Sequence, residues 1–113
     1  MAFVLVLSAC AGEPREVPLG PDGQADEVLV LGRDVYGARC ANCHGADGAG
    51  GTGPELRNGQ VAENYPDIQD EIEVVTNGSR GMPAFLVRLS EAEIEAVVRY
   101  TREVLAQPQR RVP

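Results

Sequence analysis

Apolar and polar positions follow a helical period in three stretches of this chain and lose all periodicity between them. From Asp26 onward, Val28, Gly32, Val35, Tyr36 and Arg39 fall at spacings that stack on one helical face, with Asp26 placed to cap the start. A second stretch opens at Asp67 and carries Ile68, Ile72 and Val75 at i, i+4 and i+7. It stops at Asn77-Gly78, a C-terminal capping pair. In the third, Ser90 and Glu93 form a capping box, and Ile94, Val97, Val98, Thr101 and Leu105 make the apolar stripe. Glu95, Arg99, Arg102 and Glu103 fall on the opposite, wet face, and Pro108 ends the helix. Glycines at 45, 48, 50, 51, 53 and 59 fill the interval between the first two helices, which fits neither periodicity. The pattern predicts an all-α fold of about three helices with long loops, and loops of that length in so small a domain need something to pack against.

The termini read differently. Residues 3–9 form an apolar run too short for a spanning helix, which needs about 20 residues. It ends in Leu7-Ser8-Ala9-Cys10, which resembles a bacterial lipobox, with Cys10 as the lipid-bearing residue; no Lys or Arg precedes the run, unlike an ordinary signal. Removal with an ordinary signal and an incidental thiol are the competing readings of Cys10. Residues 11–25 carry Pro14, Pro18 and Pro21 and read as a flexible tether with a reach of about 50 Å. The expected organisation is a signal segment over 1–10, a tether over 11–25, one domain over 26–106 and a frayed tail over 107–113.

Composition narrows the function. The net charge is -7 and all 10 basic residues are arginine, a balance that excludes nucleic acid as a partner. With no lysine, the surface cannot offer a ring of ammonium groups, so partner surfaces should be basic or largely apolar. Aromatic side chains are few and Trp is absent, which leaves the centre of a 113-residue chain short of bulky filler. A small core of this kind usually depends on disulfides, a metal or a prosthetic group.

The candidate chemistry stands at the end of the first helix, in Cys40-Ala41-Asn42-Cys43-His44. Two thiols three residues apart lie on one side of a helical turn, where they can add to the two vinyl groups of haem, with His44 held under the iron. A thioredoxin-like pair expects a βαβ context that is missing, and a zinc site needs four ligands where this chain offers one His and a remote third Cys. Spacing alone leaves a plain Cys40–Cys43 disulfide open, although it explains neither His44 nor the glycine-rich loop. Met82, in Gly81-Met82-Pro83, suits the presentation of a fixed thioether as second ligand better than core filling.

With these residues in place, the chain resembles a class I c-type cytochrome. The resemblance rests on Gly32 and Tyr36, Cys40 to Gly45, Gly53-Pro54-x-Leu56, Asn77-Gly78, Met82-Pro83-Ala84-Phe85 and Leu89-Ser-x-x-Glu93-Ile94, and covers residues 26–106. It implies one covalent haem c with thioethers at Cys40 and Cys43, iron ligated by His44 and Met82, and a bond from the imidazole to the Pro54 carbonyl. It also implies that the first and last helices cross, with Gly32 and Tyr36 meeting Val97 and Tyr100. Leu56, Ile72, Val75, Phe85, Leu89 and Val98 would line the apolar haem pocket, and Arg57, Asn58, Arg80 and Tyr65 are candidates for the propionates.

If both axial positions are filled, the protein is an electron carrier and not an enzyme. Its expected partners are redox proteins, such as a cytochrome complex, an oxidase or a dehydrogenase. The expected state is a monomer outside the cytoplasm, in the periplasm or on the outer face of the membrane, tethered through lipidated Cys10. The alternative is a labile Met82 and an open iron acting as peroxidase or gas binder; with His44 the sole histidine, that alternative lacks an acid–base partner.

Overall fold

A computed structural model of the protein describes residues 12–108 and is all-α: the described residues hold helices, turns and two isolated bridges, and no strand. α1 (Glu27–Val35) starts at Asp26, whose carboxylate accepts from the amides of Val28 at 2.9 Å and Leu29 at 3.3 Å. The buried positions are Leu29, Gly32, Val35 and Tyr36. Val28 and Arg39 are exposed, contrary to the expected face, because Leu29 and not Val28 shares the stripe of Gly32 and Tyr36. After Val35 the helix widens into a π turn, Tyr36–Cys40, in which the Ala41 amide reaches five residues back to the Tyr36 carbonyl. α2 (Ala41–His44) completes the run and stops at Gly45.

α3 (Gln60–Asn64) is a single short helix that periodicity did not indicate. α4 (Ile68–Asn77) is capped by Asp67 and terminated by Gly78, whose φ of 78° lies in the left-handed region. α5 (Glu91–Tyr100) carries the full capping box and runs on into a second π turn, Thr101–Leu105. The predicted stripe from Ile94 to Leu105 is buried throughout. Three long helical runs are therefore present as expected, with α3 in addition. Arg102 departs from the wet face: its side chain is 16% exposed and donates to the carbonyls of Tyr65 and Pro66 and to the Glu71 carboxylate.

The core forms where α1 crosses α5. A Cβ on Gly32 would stand 2.2 Å from the Ala96 carbonyl oxygen and 2.8 Å from the Tyr100 Cβ, so only glycine lets the two backbones approach this closely. One turn on, Tyr36 and Tyr100 are fully buried with ring centroids 5.5 Å apart, tilted at 46°. Such a pair adds about 1 kcal/mol to what burial of the rings supplies. α4 packs on the other flank of α5 through Val75 and Glu71.

The segment expected to be a flexible tether is docked over its first part, residues 13–17, while residues 18–24 are exposed. Arg15 Nη1 donates to the carbonyls of Val104, Leu105 and Gln107 at 3.0, 3.3 and 2.6 Å. Arg33 donates to the Pro14 carbonyl at 2.9 and 3.1 Å, the Tyr100 hydroxyl donates to the Arg15 carbonyl, and Val17 packs against the core. The physical reason is complementary need. The last turn of a helix leaves carbonyls without partners, and a proline-broken segment has backbone oxygens that nothing within it can satisfy. Residues 1–11, with the lipobox and Cys10, and residues 109–113 of the tail lie outside the described residues.

Candidate functional site

The haem-attachment sequence occupies the end of the first helical run, where the π turn leads into α2. His44 is buried, at 9% exposure, and its Nδ1 lies 2.9 Å from the Pro54 carbonyl oxygen. A carbonyl can only accept, so Nδ1 carries the proton and Nε2 keeps its lone pair for a ligand. The glycine-rich loop winds back over this imidazole. Gly50 donates to the His44 carbonyl at 2.7 Å, Gly53 to the Cys43 carbonyl at 2.8 Å, and Leu56 to the Gly48 carbonyl at 2.8 Å. A Cβ on Gly53 would meet the His44 ring at 2.8 Å, so this glycine is set by contact with the ring and not by turn geometry. The Tyr36 hydroxyl donates to the Gly45 carbonyl at 2.6 Å, which ties the motif to the helix crossing.

Met82 is presented by a two-residue turn. Ser79 and Met82 exchange both backbone hydrogen bonds, at 3.1 and 2.8 Å, around Arg80 and Gly81, whose φ values of 42° and 91° are both left-handed. The amides of Phe85 and Leu86 then bond to the carbonyls of Val75 and Thr76, each at 3.1 Å, which fixes the loop to the end of α4. Gly78 is forced here too, since a Cβ would lie 2.6 Å from the Met82 carbonyl oxygen.

Whether these residues suit a haem is tested by what the protein leaves half covered. Val75, Phe85, Leu89 and Val98 are buried, whereas Cys40, Ala41, Leu56, Ile68, Ile72 and Met82 pack on the core and stay only partly covered. Apolar side chains contributed by the Cys40 turn, the glycine-rich loop, α4 and the Met82 loop form a margin that a flat apolar group completes, so the residues fit the group. Cys40 and Cys43 would hold it covalently, and His44 and Met82 would supply the axial ligands. Of the propionate candidates, Arg57 is paired with Asp47 at 3.2 Å and Glu55 at 3.3 Å, and Asn58 donates to Glu55 at 3.2 Å. Arg80 is exposed and Tyr65 half-buried.

Cys40 and Cys43 are not joined to each other in a disulfide. Burial, with Cys43 alongside, pushes the Cys40 thiol up to about 11, the opposite of the lowered value a disulfide-exchanging nucleophile needs. Sequence reasoning missed Glu71. This buried carboxylate accepts from Thr101 Oγ1 at 2.6 Å and pairs with Arg102 at 3.3 Å, and burial raises its pKa more than those partners lower it. Its spacing to Ile68 and Val75, three and four residues away, was the available signal.

The model of the family described as "Cytochrome C oxidase, cbb3-type, subunit III" matches residues 29–100, from the first turn of α1 to the end of α5. The chain belongs to this family of class I c-type cytochromes. Covalently bound haem c, with its iron, is therefore the cofactor. The cytochrome is 35% identical to cytochrome c6 of Leptolyngbya boryana over 63% of this chain and 86% of that protein. It is 29% identical to cytochrome c-551 of Bacillus subtilis over 84% and 83%. It is 40% identical to chloroplastic cytochrome c6 of Chlamydomonas reinhardtii, of which it spans only 51%. Among solved structures, cytochrome c6 of the diatom Phaeodactylum tricornutum superposes with a TM-score of 0.56 at 33% identity, over 65% of this chain and 88% of that one. Cytochrome cL of Methylophaga aminisulfidivorans superposes with a TM-score of 0.63 at 25% identity, over 70% of this chain and 54% of its own length.

Proposed function

We propose that this cytochrome is a monohaem carrier of single electrons, exchanged between redox proteins outside the cytoplasm. The observation that carries the reading is the pair of ligand settings: His44 with Nδ1 committed to Pro54, and Met82 on a turn closed by two hydrogen bonds. With both axial positions taken, no site is left for a substrate. When bound, the haem supplies a one-electron couple at iron. The chain's own part is to hold it: thioethers from Cys40 and Cys43, a neutral imidazole of fixed tautomer, a fixed thioether sulfur, and apolar walls from Leu56, Ile72, Phe85 and Leu89 that keep water away. A thioether ligand and dry walls both favour the ferrous form, which raises the potential.

Among a cytochrome complex, an oxidase and a dehydrogenase as partners, the description of the matched family, an oxidase subunit, favours an oxidase. Anchoring through lipidated Cys10 is supported by the lipobox-like Leu7-Ser8-Ala9-Cys10, and the carrier acts as a monomer. The test is the visible spectrum of the matured holoprotein, oxidised and reduced, beside Met82→Ala. Low-spin haem whose methionine-to-iron band vanishes in the variant is the expected result. Wild-type protein that is high-spin, or that binds carbon monoxide freely, overturns electron carriage and moves peroxidase or gas binding ahead.

A further inference from the structure

The docked N-terminal segment decides where the chain leaves the domain. Arg15 is inserted at the end of the last helical run, with Nη1 on its Val104 and Leu105 carbonyls and on that of Gln107 just beyond it. Its other terminal nitrogen, Nη2, is fully covered and finds no partner among the described residues, a cost accepted only by a packed side chain. From there the chain passes over the π turn, where the Pro14 ring lies 3.1 Å from the position of a Cβ on Gly37. Arg33 holds Pro14 and Glu13 from the side, the latter at 3.9 Å. The described chain begins at Gly12, where an added Cβ would touch Ala46, two residues beyond His44. Two further residues lead back to Cys10, and two residues of chain reach at most about 7 Å.

We propose that residues 12–17 are a strap that turns the haem-attachment side of the domain, around Cys43 and Ala46, toward the surface of a phospholipid bilayer. The inference rests on the reading that Cys10 carries the lipid. It replaces a reach of about 50 Å, which a free 11–25 segment would allow, by one of about 7 Å. The carrier then does not sweep the space above the membrane. It stays against the bilayer in one orientation and meets its partners by lateral diffusion, which fits integral membrane proteins whose redox centre lies near the lipid surface.

Two measurements on the full-length holoprotein test this separately from the anchor. The first is tryptic cleavage after Arg15, read by mass spectrometry. A docked strap protects the bond at least a hundredfold relative to the same chain denatured; cleavage at the denatured rate overturns the strap. The second uses vesicles of phosphatidylcholine and phosphatidylglycerol with a headgroup-labelled fluorescent lipid, quenched by energy transfer to the haem. Strong quenching is expected in the wild type, falling several-fold when ten Gly-Ser residues are inserted between Ala11 and Gly12. That insertion leaves every strap contact intact and so keeps the fold. Arg15→Ala with Arg33→Ala should lower quenching as well, with an unchanged haem spectrum as proof of folding. Quenching that the insertion leaves unaltered overturns the orientation. Mass spectrometry of Cys10 without a diacylglyceryl group overturns the anchor and the bilayer contact with it, while the protease result still decides whether the strap is docked.

Discussion

Two regions of this cytochrome are held together in different ways. Where α1 crosses α5, side chain meets side chain: Tyr36, Val97, Val98, Tyr100 and Leu105 are each at or below 2% exposure. Around His44 and Met82 the protein instead closes on itself through backbone bonds over glycines, and Leu56, Ile72 and Met82 stay partly covered. The first region is complete as polypeptide. The second is a frame whose apolar lining belongs to its prosthetic group, so the stability of the domain is shared between chain and haem in a spatially divided way.

The strongest way to break this division is Cys40→Ser with Cys43→Ser. Without covalent haem the cooperative unfolding transition should vanish, followed by circular dichroism against urea; a sharp transition in the haem-free protein would show that the frame needs no filling. Next comes Gly32→Ala, which drives a Cβ into the Ala96 carbonyl and should cost about 3 kcal/mol, the upper end of overpacking. The midpoint in urea should fall with no change in slope and no change in the visible spectrum. Gly53→Ala is its counterpart on the haem side. The added carbon presses on His44 Cε1 and Nδ1, so about 2 kcal/mol should be lost together with a shift in reduction potential, because the ring is pushed off Pro54. If both glycine variants changed the spectrum alike, the two regions would not be separable.

The smallest effect concerns pH. Burial raises Glu71 above its ordinary 4.5, so the folded state holds this proton more tightly than the unfolded chain. The stability contribution of Glu71 is therefore full below pH 4.5 and is lost as pH rises through the folded value. Glu71→Gln, which stays neutral, should flatten that fall, and parallel stability profiles for the two proteins above pH 4.5 would refute it. Asp26 acts in the opposite sense. The Arg99 guanidinium and the Leu29 amide lower its pKa, so its contribution is present above 3.8 and is lost on acidification.

What the sequence made legible follows the same division. Caps at Asp26, Asp67 and Ser90 and the stripe of α5 depend on neighbours two to four residues away and were readable, whereas the closeness required at Gly32, whose partners Ala96 and Tyr100 lie far along the chain, was signalled only by a poor helix former inside a helix and by the family resemblance. The motif at Cys40 to His44 was readable because its chemistry is local. The π turns were not, since the spacing of apolar positions carried no mark of them. Val28 was misplaced by one position for lack of knowledge of which stripe meets α5. Arg15 and Glu71 were missed for one reason: each is a charged residue whose partners lie 30 to 92 positions away in the chain.

The widened turn at Tyr36–Cys40 has a consequence for how this family can change. A π turn holds one residue more than an α turn that sweeps the same angle, and here the turn ends on Cys40, the first of the two cysteines. Removing one residue, Gly37 for instance, would close the bulge into an ordinary helix and leave everything beyond it close to its present orientation. Cys40, Cys43 and His44 would then still face Met82, whereas the same deletion within the regular turns of α1 would rotate them by about 100°. The turn is therefore the place where this helix can change length: in descendants of this chain, loss of a single residue should be admitted between Tyr36 and Cys40 and refused between Glu27 and Val35.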